Sequence, residues 1–280
     1  MPETETDELS FGDDREPWLR TWAEAHRRLA ALLVAAVVVL AGLGAGGWYL
    51  HQRSLLPSPP PDDPFPEPVG VVVSLCAGEA VGCPKGTADQ VMKLVREIPE
   101  VVSPRLVTAD ESEMRWAMQV ITDEGLAERR EVRWVPFIEG GLRSGADFDT
   151  VRRRLAGQRG VMRVSPRIPD FWKGKADLSV VMCGGPRLPW ADGCGGSAPT
   201  AAQRDAVVAR LRELDGVDEV FLQDRAFGLR LNRHYAPDAP LTLDDVPETL
   251  YVRLDDAAKA KTVGQTMLRM PGVGWSQLIK

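Results

Sequence analysis

Histidine is nearly absent from this chain: among 280 residues there are three, His26, His51 and His234, far apart in sequence. That scarcity removes the usual metal-ligand sets and most acid–base machinery. No two histidines stand at metal-ligand spacing, and only His234, beside Tyr235, is available to assist a nucleophile. A glycine-rich phosphate loop opening a helix is also missing. The neighbouring acids Asp244 and Asp245, and Asp255 and Asp256, fall where turns are expected, so they are read as solvated. No enzyme, no metal and no cofactor is therefore expected. Aromatic residues make up 6% of the chain and the net charge is -6, with no basic stripe interleaved with aromatics, which speaks against nucleic acid. The basic runs Arg129, Arg130, Arg133 and Arg152, Arg153, Arg154 are read as solvated faces.

Cysteine is scarce too, and its placement is informative. The four are Cys76, Cys83, Cys183 and Cys194. Their spacings exceed the two-to-four residues usual at structural zinc sites and no histidine is near, so disulfides Cys76–Cys83 and Cys183–Cys194 are expected over a metal. Such short loops stabilise by about 2.5 to 3 kcal/mol each in the loop-entropy model.

One long apolar run stands out. Leu29 to Leu50 carries no charge, and about twenty such residues rising 1.5 Å each match a hydrocarbon core of about 30 Å. It is predicted to be a transmembrane helix, in preference to a cleaved signal peptide, which the small residues Gly44, Ala45 and Gly46 would permit. Arg15, Arg20, Arg27 and Arg28 precede it and Arg53 comes after it. The positive-inside rule then places residues 1–28 in the cytoplasm and the rest outside the cytoplasmic membrane. Residues 1–14 read as disordered, and Glu16 to Arg28 as a helix with Trp18 and Trp22 on one face, an interfacial anchor. Seven prolines between Pro57 and Pro68 make residues 51–68 a stiff extended spacer, reaching about 40 Å at most.

Beyond the spacer the chain repeats itself. Val72 to Cys76 resembles Leu178 to Cys183, and Val151-x3-Leu155-x4-Gly160-Val161 matches Val263-x3-Met267-x4-Gly272-Val273. The offset is 107 residues at the cysteines and 112 at the closing motif, which means duplicated domains and no short-repeat solenoid. They are bounded as 69–168 and 178–280, with 169–177 as linker. Repeat one is predicted as strands Val69–Cys76, Val101–Val107, Val132–Ile138 and Val161–Val164 with helices Thr87–Ile98, Asp110–Ile121 and Asp147–Ala156. Repeat two is predicted as strands Leu178–Met182, Val217–Leu222, Leu250–Leu254 and Val273–Leu278 with helices Thr200–Leu214, Arg225–Tyr235 and Ala257–Met270. Thr87 with Gln90 and Thr200 with Gln203 fit capping boxes. Two βαβ units with a helix inserted between them give an α+β fold, a split-βαβ, ferredoxin-like sheet in each repeat.

The strand "VSLC", the stretch Leu211 to Val220 and above all Val246 to Trp275 ("VPETLYVRLDD" to "PGVGW") resemble the extracellular domain of the cell-division protein FtsX. The second repeat matches over nearly its full length and the first is a more divergent copy. In that family the domain lies between the first two helices of a four-helix permease-like subunit that pairs with the ATPase FtsE. It recruits peptidoglycan hydrolases, directly or through an adaptor. This chain departs from that plan, with one predicted span and no permease segments. The resemblance implies a single-pass protein whose exterior domains bind a hydrolase or adaptor, with division or ABC-transporter-like proteins as further partners. An envelope sensor or assembly factor signalling through the short tail is the alternative.

The inserts are the candidate partner surfaces. Met114, Met118 and Ile121 share one face of the first and Trp116 and Val120 project from another, so one sheet contact cannot cover both. Phe227, Leu231 and Tyr235 recur about four apart in the second. Methionine surfaces adapt to partners, although apolar stripes at helical spacing are usually core.

Overall fold

The computed structural model describes residues 56–280 except 77–85, 122–133, 185–193, 195, 237–238 and 280, together with helical residues between 25 and 43. Residues Pro57–Lys280 form one compact unit, and Met1–Leu56 another. Of the expected span, Leu29, Ala31, Leu32, Val34 to Ala41 and Leu43 are described, all helical and exposed. Among the described residues no helix is long and apolar enough to cross a membrane. The remainder of the span, and the tail with Trp18 and Trp22, lie outside the described residues.

The compact unit is α+β, with two antiparallel sheets and six helices among the described residues. The first repeat supplies β1 (Gly70–Leu75), α1 (Ala88–Arg96), β2 (Val101–Val107), α2 (Ala109–Ala117), β3 (Val120–Ile121), β4 (Phe137–Leu142), α3 (Phe148–Leu155) and β5 (Val161–Arg167). The second supplies β6 (Leu178–Met182), α4 (Ala201–Glu213), β7 (Val217–Gln223), α5 (Arg225–Tyr235), β8 (Thr249–Leu254), α6 (Ala260–Leu268) and β9 (Val273–Leu278). Strand orders are β2-β4-β1-β5 and β3-β9-β6-β8-β7. Leaving β3 aside, each repeat lays its four strands in the same sequence, with its first strand second from one edge.

The predicted caps are present. Thr87 Oγ1 accepts from Gln90 N at 3.2 Å and Gln90 Oε1 accepts from Thr87 N at 3.1 Å; Thr200 and Gln203 repeat this at 3.2 and 2.9 Å. The repeated Gly-Val close also has a cause. Gly160 and Gly272 have φ of +84° and +89°, a left-handed turn into the last strand of each repeat where a side chain would be strained. Each glycine's carbonyl then accepts from a cysteine N–H, Cys76 at 3.0 Å and Cys183 at 2.8 Å. Cys183 is joined to Cys194 as predicted. Cys76 is disulfide-bonded as well; its predicted partner Cys83 lies outside the described residues.

Several expectations are corrected. The helix predicted over Asp110–Ile121 ends at Ala117, and Val120 and Ile121, both β-branched, leave it to pair with Gln277 and Ser276 of β9. The strand predicted over Val132–Ile138 is seen from Phe137 through Gly140 and Gly141 to Leu142. Those glycines look like a break, yet at Gly140 a Cβ would stand 2.6 Å from Val101 Cγ1, so close packing requires the bare backbone. The Pro-rich segment is no stand-off spacer over its described part: Ser58 bonds Val220 and Leu222 of β7, both at 2.8 Å, and Phe65 lies among aromatic rings of the second repeat. Within residues 169–177, the expected linker, Phe171 and Trp172 are buried.

Each sheet packs α1 and α3, or α4 and α6, on one face through Val71, Val73, Ile138 and Val151 or Leu178, Val180, Leu250 and Met267. The opposite faces differ. That of the second sheet is sealed by α5, Phe65, Phe171 and Trp172 against Phe221 and Tyr251. That of the first carries Gly70, Gly141, Arg105, Glu139, Arg163 and Arg167 by register.

Candidate partner-binding surfaces

Helix α2 starts where Thr108 Oγ1 accepts from Glu111 N at 3.1 Å, and it buries no residue. Charges hold it to the sheet. Arg115 bridges Glu111 at 2.6 Å and Glu139 of β4 at 3.0 Å, while Arg105 of β2 bridges the same two acids at 3.0 and 2.5 Å. Glu111, as a hydrogen-bond partner, pushes the Arg105 pKa above its ordinary value. Pairs this exposed add little to stability. Their effect is to orient the helix.

Its large apolar residues are exposed or half-buried. Met114 and Met118, one turn apart on the same face, are 60% and 54% exposed. Trp116 is half-buried, its ring 5.6 Å from that of Trp134 at 51°. Ile121, expected on the same face, is 4% exposed and sits in the core of the second repeat. A Cβ placed on Gly264 would collide with its Cδ1, so α6 has a notch where Ile121 seats. Ile121 joins the two repeats and is not part of an open surface.

The second predicted set lies elsewhere. Leu231 is 4% exposed. Phe227 is half-buried, 5.6 Å from Phe65 at 89° and 5.3 Å from Phe171. Tyr235 Oη accepts from Phe171 N at 2.7 Å, and burial pushes its pKa up to about 12. Around them Trp172 stacks on Tyr251 at 4.0 Å and 10° and donates from Nε1 to Gln223 Oε1 at 3.0 Å. Tyr251 is pushed up in pKa as well, chiefly by burial. The Pro66 carbonyl can only accept, so His234 donates to it from Nε2 at 2.8 Å. This histidine is a clasp for the Pro-rich segment. Edge-on aromatic pairs contribute about 0.5 to 1.5 kcal/mol each beyond burial, so the cluster is a second core.

Of the seven candidates, Met114, Met118 and half-buried Trp116 remain together on one element. Phe65, Phe171 and Trp172 are hard to find from sequence because they sit in proline-rich or linker-like stretches. The one signal for them was the adjacency of Phe171 and Trp172, large apolar residues with no reason to be in a solvated connection. No family model matches this chain, and neither the curated proteins nor the solved structures offer a match.

Proposed function

We propose that this chain is a single-pass, membrane-anchored binding protein, not an enzyme, of the cell-division or wall-remodelling machinery. Its two domains are ferredoxin-like and displayed outside the cytoplasm. The first takes a peptidoglycan hydrolase or its adaptor on helix α2. The strand order common to both sheets supports the split-βαβ reading, and a disulfide at the end of each repeat's first strand is in keeping with an oxidising compartment. Val246 to Trp275, which carry the resemblance to the FtsX extracellular domain, make up β8, α6 and the start of β9. One observation carries the binding reading: Met114 and Met118 are exposed on a helix with no buried residue. Flexible thioethers suit a surface that repacks against a partner.

Photo-crosslinking from position 118 in intact cells tests this, with a control crosslinker at position 205, on exposed Asp205 of α4. The expected adduct is a wall hydrolase or an adaptor of one, seen from 118 alone. Adducts with lipid only, or the same proteins from both positions, would overturn it.

A further inference from the structure

We propose that the outer edge of β5 is a second docking site, independent of α2, for an extended acidic segment of a protein partner that adds as a strand to the first sheet. A groove of about 570 Å³ runs there, between β5 with α3 on one side and Ala236, Ala239 and Pro240 on the other. Met162 and Val164 line it, and so do Arg163 and Ser165, residues from opposite faces of the strand. Only a groove along the strand's edge meets both.

That edge has hydrogen-bonding groups to offer. Leu75 N donates towards β4, to Pro136 O, and Cys76 N towards β5, to Gly160 O, so the odd-numbered residues of β1 bond towards β4. The even-numbered ones bond towards β5, and their partners are Arg163, Ser165 and Arg167. Val164 therefore turns its N–H and C=O outwards. Pro166 removes one donor, which limits an added strand to a short ladder and discourages indiscriminate pairing.

The duplicate already uses the equivalent edge. β9 holds the place in its sheet that β5 holds in the first, and its outer side receives β3, with Leu278 N donating to Gln119 O at 2.8 Å. The chain supplies that strand itself. On β5 no strand is supplied among the described residues.

Charge selects the occupant. Arg152, Arg153 and Arg163 line the groove in a chain of net charge -6. Arg152 shares Asp149 at 3.2 Å, and Arg153 donates to a neutral group, Thr150 Oγ1, at 3.3 Å. An extended segment alternating acidic and apolar residues would set carboxylates against the arginines and apolar side chains on Met162. A concave, strand-edged groove fits a peptide better than a flat lipid surface.

The test uses the purified full-length chain and a fluorescent hexapeptide alternating glutamate and valine. Binding is expected, with new exchange protection of the Val164 amide and loss at about 1 M salt, where the screening length is about 3 Å. Arg153→Gln with Arg163→Gln should weaken it at least tenfold at unchanged melting temperature. Lys261→Glu on α6, and Met114→Ser with Met118→Ser, should leave it unchanged, so failure here is distinct from failure of the α2 reading. The proposal is overturned if a lysine–valine hexapeptide binds as well, or if the double glutamine variant binds normally. It also falls if phosphatidylglycerol vesicles, and not the peptide, are held through these arginines. Self-association abolished by the same two changes would make a second copy the occupant and overturn it equally.

Discussion

β1 and β6 occupy the same place in their sheets, yet β6 is buried along all five residues while β1, from Val71 onward, alternates between buried and partly buried ones. The difference comes from what the chain lays over each sheet. The second repeat receives Phe65 from the Pro-rich segment, Phe171 and Trp172 from the stretch between repeats, and Ile121 from the first repeat's insert. Its two outer strands are covered as well, β7 by Ser58 and β9 by β3. Around the first sheet lie arginines, glycines, a helix held by ion pairs and two outer strands that carry Pro104 and Pro166. The two sheets share one strand order, and the connecting segments seal one of them. The sealed half buries its aromatic rings, and both surfaces proposed here for binding lie on the open half.

The largest expected effect is at the seal. Trp172→Ala should cost about 3 to 5 kcal/mol, since a fully buried ring leaves a cavity and Gln223 Oε1 loses its indole donor. Melting should fall by roughly 10 °C, whereas Arg163→Ala on the open half should leave it unchanged. Equal effects would erase the contrast. Cys183→Ser comes next: opening a loop of sequence separation 11 should cost about 2 to 3 kcal/mol, read by chemical denaturation.

Alkaline titration sharpens the comparison further. The folded pKa of Tyr235 is raised from 10.0 to about 12, so the folded state holds the phenol proton more tightly than the unfolded chain does. Its contribution is fully present below pH 10 and is lost as pH rises towards 12. Tyr235→Phe should flatten part of that decline, and a stability curve that falls identically in the variant would contradict the burial. The smallest effect belongs to α2. Met114→Ser with Met118→Ser should move stability by no more than about 0.5 kcal/mol, the usual range for exposed sites, while Phe227→Ser should cost several times that.

Much of this was legible in the residues and the rest had a physical reason to hide. The elements of the second repeat come from periodicity and capping: Leu178–Met182, Arg225–Tyr235 and Val273–Leu278 begin and end where the pattern puts them. Local rules decide those ends. The insert of the first repeat was harder. Nothing local tells Val120 and Ile121 that β9 is waiting, because that pairing is made about 155 residues away along the chain. Proline content made residues 57–68 look like a rod, since composition fixes stiffness and says little about where a rod comes to rest. For the candidate site, the spacing of Met114, Trp116 and Met118 was readable. Which of the two apolar inserts would be covered was not, as that depends on Phe65 and Trp172 arriving from outside the repeat.

Hydrogen exchange at single amides on the outer strands measures the contrast itself. Leu222 N donates to Ser58 O and Leu278 N to Gln119 O, both at 2.8 Å, so these two amides should be protected by several orders of magnitude. Val164, whose N–H turns away from β1, should exchange within roughly tenfold of an unstructured amide. Protection of Val164 equal to that of the other two, or rapid exchange at Leu222 and Leu278, would contradict a sealed second sheet beside an open first one.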